Sequence, residues 1–177
     1  MNLFRTIAKK IRNFLRLIKK PFIRKADYWR KNIPEIDEEN KYLIEFIGEY
    51  SLTPLIRRWT LIKSLNYINK KKLIGDIVEC GIWRGGNLFL SKKIQDKYPK
   101  ELKRKLYGFD TFAGMTEPTK EDTDNDNKSQ IKIWKKHLRD DEICDWAFCS
   151  IEDVKKNISN LVPKNNIKLI KGKVEHT

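Results

Sequence analysis

The chain has 177 residues, of which 40% are hydrophobic, and a formal net charge of +14. These values are typical of one soluble domain that is large enough to bury a core. No window approaches 18 uninterrupted apolar residues, which excludes a membrane-spanning helix. Three cysteines without metal-type spacing are interpreted as reduced thiols of a cytoplasmic protein.

The positive charge is concentrated at the N-terminus. Residues 1–31 carry eleven Lys/Arg and one acidic residue, Asp27, whereas the remaining residues carry 27 basic and 23 acidic groups. A nucleic-acid-binding domain would carry its basic face on the folded body, so we expect no nucleic-acid partner. We divide the chain into a basic arm at 1–32, a helical lead-in at 33–74 and an α/β domain at 75–177.

Residues 1–20 have the pattern of a basic amphipathic helix. Apolar residues recur at helical spacing between Lys and Arg side chains: Phe4, Ile7, Ile11, Phe14, Leu15 and Ile18. Such a helix can lie in an anionic membrane interface, at about 1 kcal/mol per basic residue. It would then hold a cytoplasmic protein at the inner face of the membrane. The alternative is a helix that packs on its own domain or on a partner.

The lead-in is predicted to be helical in two places. Pro21 ends the arm helix, residues 25–42 read as a polar connector, and a short helix is expected around 42–47. Thr53 and Pro54 have the form of an N-cap and a first helical position. The following helix has an apolar stripe made of Leu55, Trp59, Ile62, Leu65 and Ile68.

Strands and helices then alternate. DIVEC (76–80) and KLYGFD (105–110) are predicted strands, separated by a glycine turn at 81–86 and a helix at 87–97. After a polar loop at 111–129, helices are expected near 131–138 and after Ser150, where Asp153 completes a capping-box signal. NIKLIKGKV (166–174) is the third strand. This alternation predicts an α/β fold with a parallel sheet.

The glycine turn lies between a strand and a helix, where a nucleotide-like ligand can approach the backbone. It reads Glu-x-Gly-x-x-x-Gly from Glu79 through Gly81 to Gly85, unlike the Gly-x-Gly-x-x-Gly of dinucleotide sites. An acid before the first glycine suits a ligand with positive charge. S-adenosylmethionine (SAM) carries an ammonium and a sulfonium group, and therefore fits.

A second acid, Asp110, ends the next predicted strand. Nucleotide-binding α/β folds place a carboxylate there against the ribose hydroxyls. Together with Glu79 it predicts a SAM site. The alternative is a surface turn with ordinary capping acids.

The blocks GDIVECGIWRGGN and LYGFDTFAGMTEPTKEDTD closely resemble the TylF/MycF (macrocin O-methyltransferase) family, and the resemblance runs from about residue 50 to 177. It implies SAM-dependent methyl transfer to a hydroxyl of a sugar or glycan. It also implies the N-terminal part of a Rossmann-like class I methyltransferase fold, with three parallel strands in the order 3-2-1 and flanking helices.

The resemblance carries the family's cofactor contacts onto positions of this chain. The family's loop around the methionine part of SAM is matched by Glu79, Cys80, Gly81, Trp83 and Gly85. The ribose and adenosine segment is matched by Asp110, Thr111, Phe112 and Gly114, and the adenine edge by Ser150 and Ile151. Gly172 matches the turn after the third strand, and Thr53 matches a hydroxyl near the SAM carboxylate.

The family's metal-binding strands carry Asp-x-Asp-x-Tyr and Asp-Asp-Tyr, and neither pattern occurs in this sequence. Mg²⁺ is expected for the complete family enzyme, but no catalytic residue or metal ligand can be assigned here. We therefore expect a C-terminally truncated enzyme that is inactive alone. The alternative is a non-catalytic SAM-binding remnant or a membrane-surface module. The acceptor's identity and the oligomeric state are left open.

Two further features resemble functional sites. Asp122, Asp124 and Asp126 imitate the start of a calcium loop, but Asn127 and Ile133 replace its required glycine and glutamate. We interpret that segment as a solvated lid. His137 is a lone histidine on a predicted helix, and a structural or exposed role is expected for it.

Overall fold

Three parallel strands form the sheet of this protein: β1 (Ile77–Cys80), β2 (Leu106–Asp110) and β3 (Ile167–Lys171). The computed structural model describes residues 31–140, 143–162 and 166–177. The predicted arm helix at 1–20 and the helix-ending Pro21 and Pro163 lie outside these residues. The chain divides into two compact units, Met1–Asp37 and Glu38–Thr177, and the sheet belongs to the second.

Five α-helices occur in the described part of the second unit: α1 (Glu38–Phe46), α2 (Leu55–Lys70), α3 (Gly86–Asp96), α4 (Ile131–His137) and α5 (Ile151–Leu161). Short 3-10 turns occupy Ile47–Glu49, Lys100–Leu102 and Val174–His176. None of the described helices is both long and apolar enough to cross a membrane.

The sheet confirms the predicted fold class. β2 is the central strand, paired in parallel with β1 and with β3, so the order 3-2-1 is correct. In the register, Glu79 lies beside Gly108, and Cys80 lies beside Phe109. Side chains alternate between the two faces of a strand, so Glu79, Gly108 and Asp110 share one face.

Helix α3 packs directly on that face. A Cβ atom on Gly108 would lie 2.6 Å from Leu88 Cδ1 and 3.1 Å from the Ile82 side chain, so the missing side chain is what lets α3 approach β2. Leu88, Leu90 and Ile94 of α3 are fully buried. This close packing brings the first turn of α3 over the carboxyl ends of β1 and β2.

The lead-in differs from its prediction at two helix starts. Helix α1 begins at Glu38, inside the expected polar connector, because Leu43 and Ile44 bury an apolar face behind its acidic first turn. Helix α2 begins at Leu55 with Pro54 as its N-cap, so Thr53 is not the cap. The Thr53 hydroxyl is instead engaged with Ser51 and Asn87.

Helix α5 follows its prediction closely. Ser150 is the N-cap, and its hydroxyl accepts a hydrogen bond from the Asp153 backbone N–H at 3.1 Å. Val154 and Ile158 are buried on the inner face of the helix. The predicted start of this helix at Ser150 is therefore confirmed.

Candidate cofactor site

A cleft of about 330 Å³ opens at the carboxyl ends of the strands. In open α/β sheets this is the end at which ligands bind. Its walls come from the glycine turn, the ends of β1 and β2, the segment after β2 and the turn after β3. The lining residues are Leu52, Cys80, Gly81, Trp83, Phe109, Asp110, Thr111, Gly114, Met115, Thr116, Ala147, Gly172, Lys173, Val174 and Glu175.

The glycine turn is held on both sides by backbone hydrogen bonds. The Gly81 N–H donates to Phe109 O at 2.8 Å, and the Gly86 N–H donates to Tyr50 O at 2.9 Å. A Cβ atom on Gly86 would lie 2.5 Å from that same carbonyl oxygen, so only glycine permits this contact. The turn is thereby joined to β2 and to the segment before α2.

Asp110 binds the backbone of the glycine turn with its carboxylate. Oδ2 accepts hydrogen bonds from the Ile82 and Trp83 N–H groups at 2.9 and 3.1 Å, and Oδ1 accepts one from the Phe112 N–H at 2.8 Å. An ionised carboxylate offers about four acceptor positions, so capacity for a ligand hydroxyl remains. Asp110 therefore both shapes the turn and lines the cleft.

Glu79 lies beside this turn, behind the first turn of α3. Its Oε1 accepts a hydrogen bond from Asn87 Nδ2 at 2.9 Å. Burial raises the pKa of Glu79 to about 7, the Asn87 hydrogen bond opposes that rise, and the charge of Asp110 adds to it. The two predicted carboxylates are thus electrostatic neighbours at one end of the sheet.

The structure brings seven of the thirteen predicted cofactor residues into the wall of the cleft: Cys80, Gly81, Trp83, Asp110, Thr111, Gly114 and Gly172. Glu79 and Thr53 lie just behind it, in one hydrogen-bonded group with Asn87. The other four belong to the surrounding packing. Phe112 is buried, and a Cβ on Gly85 would contact Ile158 at 3.3 Å. Ser150 and Ile151 begin α5.

Backbone conformation is unusual around the cleft. Trp83, Phe112 and Ala147 adopt positive φ values of 50°, 54° and 57°, which non-glycine residues rarely do. Such conformations cost about 1–3 kcal/mol each and cluster at functional sites. Trp83 is further held by the Arg84 guanidinium, which lies 4.5 Å from the centre of its ring.

Sequence reasoning missed one wall of the cleft altogether. Ala147 reaches it because the segment after α4 packs on the segment after β2: Cys144 N–H donates to Ala113 O, and Met115 N–H donates to Trp146 O, both at 2.9 Å. A Cβ on Gly114 would lie 1.8 Å from Cys144 O. Gly114 was the available signal, since a glycine in a polar loop can mark a close backbone approach.

The loop that carries Asp122, Asp124 and Asp126 forms hydrogen-bonded turns within itself. Asp122 Oδ2 accepts from the Thr119 N–H at 2.8 Å, and Asp124 Oδ1 accepts from the N–H groups of Asp126 and Lys128, both at 2.9 Å. In the described ranges, no group of three or more His, Cys, Asp or Glu side chains could hold a metal ion. His137 is exposed, with its ring 6.3 Å from that of Trp146.

Comparison with known proteins gives a consistent result. The solved structure of the O-methyltransferase NovP is similar to this chain, with a TM-score of 0.50 and 20% sequence identity. The match covers 70% of this chain and 47% of NovP, so the chain spans about half the length of that protein. At this identity the similarity shows the fold. No curated protein sequence gives a significant match.

The family comparison covers most of the chain. Residues 48–177 match the family described as Macrocin-O-methyltransferase (TylF). The matched region contains the whole sheet, the glycine turn and every residue that lines the cleft. The chain therefore belongs to the macrocin O-methyltransferase (TylF) family.

Proposed function

We propose that this chain binds SAM in the cleft at the carboxyl ends of β1 and β2, as the cofactor-binding part of an O-methyltransferase. SAM supplies the methyl group that such an enzyme transfers. The acceptor proposed from the resemblance is a hydroxyl group of a sugar or glycan. The family supports methyl transfer, and the cleft supports the cofactor.

One observation carries the proposal: Glu79 and Asp110 lie on the same face at the same end of two adjacent strands. Glu79 can accept hydrogen bonds from the ammonium group of SAM, and Asp110 can accept from its ribose. Charge-assisted bonds of this kind are stronger than neutral ones. The first turn of α3 offers backbone N–H groups and a positive dipole end to the SAM carboxylate.

Isothermal titration calorimetry with SAM and with S-adenosylhomocysteine tests this proposal. We expect the wild-type chain to bind both and the Asp110→Ala variant to bind neither. The matched control is Asp76→Ala, because Asp76 is exposed and lies at the opposite end of β1, where it accepts from the Lys105 N–H. Equal binding by the wild type and Asp110→Ala would contradict the proposal, as would no binding by the wild type.

Methyl transfer also requires groups that align the acceptor hydroxyl and loosen its proton. The described residues contain no group of side chains that could hold a metal ion. Among them, β1 pairs with β2 only. We propose that the chain is the N-terminal portion of a larger enzyme that supplies these groups elsewhere. The second candidate function is a module that binds SAM without turnover.

A turnover assay and the downstream DNA sequence together separate these two functions. The full chain is incubated with SAM, Mg²⁺ and a panel of sugar acceptors, and S-adenosylhomocysteine is measured. SAM binding without product supports either the cofactor-binding portion or the non-catalytic module. The DNA downstream of codon 177 then decides between them: an Asp-x-Asp-x-Tyr pattern there, in frame or frameshifted, supports the larger enzyme.

We also propose a location for the protein. The basic pattern of residues 1–20 supports peripheral attachment of a cytoplasmic protein to the anionic inner face of the membrane. Glycans are assembled at such surfaces, so this position would suit a glycan-modifying enzyme.

A further inference from the structure

Asn87 connects Glu79 to two hydroxyl groups from a distant part of the chain. Its Nδ2 donates to Glu79 Oε1 at 2.9 Å. Its Oδ1 accepts from Ser51 Oγ at 3.0 Å and from Thr53 Oγ1 at 3.3 Å. The two hydroxyl oxygens are 2.7 Å apart, so the four side chains form one continuous polar group.

The charge of Glu79 determines which way the Asn87 amide faces. An ionised carboxylate can only accept, so the NH₂ end of the amide faces Glu79 and the amide oxygen faces the two hydroxyls. Because a hydroxyl can donate, Ser51 and Thr53 can donate to Asn87 Oδ1 and stabilise this orientation.

A neutral donor has a specific advantage at this position. Asn87 satisfies one oxygen of Glu79 without cancelling its negative charge. A lysine or arginine there would pair with the carboxylate and compete with a cationic ligand. The amide thus satisfies one oxygen of a partly buried carboxylate and favours its charged form, which burial opposes.

We propose that Asn87 is a positioning residue for the cofactor: it holds Glu79 by Oε1 and leaves Oε2 of the ionised carboxylate for the ammonium group of SAM. Ser51 and Thr53 act through Asn87 by orienting its amide. This inference rests on the proposed SAM site and extends it to two residues, Asn87 and Ser51, that the family resemblance did not assign.

The pH dependence of SAM binding provides a test that a purely structural role would not pass. In the wild type, Glu79 must be ionised to bind the ammonium group, so affinity rises with pH through the Glu79 titration. The negative charge of Asp110, which also raises the pKa of Glu79, is present in every variant. In Asn87→Leu the donor is lost, the pKa of Glu79 rises further, and the midpoint of the affinity profile moves to higher pH.

We expect Asn87→Leu to bind SAM roughly tenfold more weakly than the wild type at pH 7, with the difference shrinking as pH is raised to 8, where the α-amino group of SAM still keeps part of its charge. Asn160→Leu is the matched control, because Asn160 is exposed on α5, and it should follow the wild-type profile. The double variant Ser51→Ala/Thr53→Val should reproduce part of the shift, and each single change should have a smaller effect, since one hydroxyl can orient the amide alone.

A measurement without cofactor accompanies the binding profiles. The ¹³C resonance of the Glu79 carboxyl group is titrated in the unliganded wild-type chain and in Asn87→Leu, and a higher midpoint is expected for the variant. An unchanged midpoint, or an affinity loss that is equal at every pH, would overturn the role of Asn87. Absence of SAM binding by the wild type would instead overturn the proposed function, and with it the role of Asn87 toward the cofactor.

Discussion

Asp110 shows how one side chain can serve the fold and the site together. Its carboxylate accepts three backbone N–H groups, from Ile82, Trp83 and Phe112. We expect Asp110→Asn to lower the free energy of unfolding by about 2–4 kcal/mol, because an amide NH₂ would face backbone donors in place of a charged acceptor. Urea unfolding measures the change.

The control for that experiment is Asp76→Asn. Asp76 is exposed and accepts one backbone bond, which the asparagine oxygen can keep, so a change within about 0.5 kcal/mol is expected. Equal losses of unfolding free energy in both variants would show that the three hydrogen bonds of Asp110 stabilise the fold no more than the single bond of Asp76.

Glu79 should make stability depend on pH. Its pKa is raised from 4.5 to about 7 in the folded chain, so between these pH values the folded state keeps a proton that the unfolded state has released. The free energy of unfolding therefore falls as pH rises through this window, by up to about 3 kcal/mol. Glu79→Gln should remove that slope in urea titrations at pH 5, 6, 7 and 8, whereas the exposed Glu101→Gln should retain it. A slope that persists in Glu79→Gln would assign the pH dependence to another group.

At the scale of elements, the junction between α3 and the segment before α2 is a tightly constrained contact. A Cβ on Gly86 would meet Tyr50 O at 2.5 Å and Tyr50 C at 2.7 Å, and both atoms belong to the backbone. We expect Gly86→Ala to cost about 1–3 kcal/mol, because neither segment can give way without losing the Gly86–Tyr50 hydrogen bond. Thermal unfolding followed by circular dichroism measures it.

Gly48→Ala is the matched control for this junction. A Cβ on Gly48 would have one neighbour, Arg58 Nη1 at 3.5 Å, which is an ordinary contact. Its melting temperature should stay close to that of the wild type. If Gly86→Ala melted at the same temperature as Gly48→Ala, the junction would be more adaptable than its distances indicate.

For the whole molecule, the charge distribution leads to a prediction about membranes. The arm carries most of the net charge, whereas the rest of the chain is close to balanced. The full chain should co-sediment with anionic liposomes, and a chain that lacks residues 1–20 should not. Binding should weaken as salt is raised, because screening shortens the range of the attraction. Equal pelleting of both forms would contradict membrane attachment through the arm.

The periodic elements were predictable because their signals are local. Ser150 with Asp153 predicted the start of α5, and the apolar runs before Gly81 and through Asp110 predicted β1 and β2. The start of α1 was missed because its connector is rich in charge, and its helix depends on burying Leu43 and Ile44. Thr53 was assigned as a cap because its sequence position does not show that its hydroxyl is engaged by Asn87, which lies 34 residues further along the chain, and by the nearby Ser51.

The sequence pattern alone determined the α/β class and the two carboxylates of the site, since apolar periodicity and glycine placement are properties of neighbouring residues. The order of the strands was implied by the family resemblance. Only the tertiary structure decided what those carboxylates do. Asp110 is engaged by backbone donors 27 and 28 residues away, and Glu79 by an amide that two distant hydroxyls orient. Hydrogen bonds between remote segments depend on how α3 packs over β2, and packing of that kind leaves no periodic trace in the sequence.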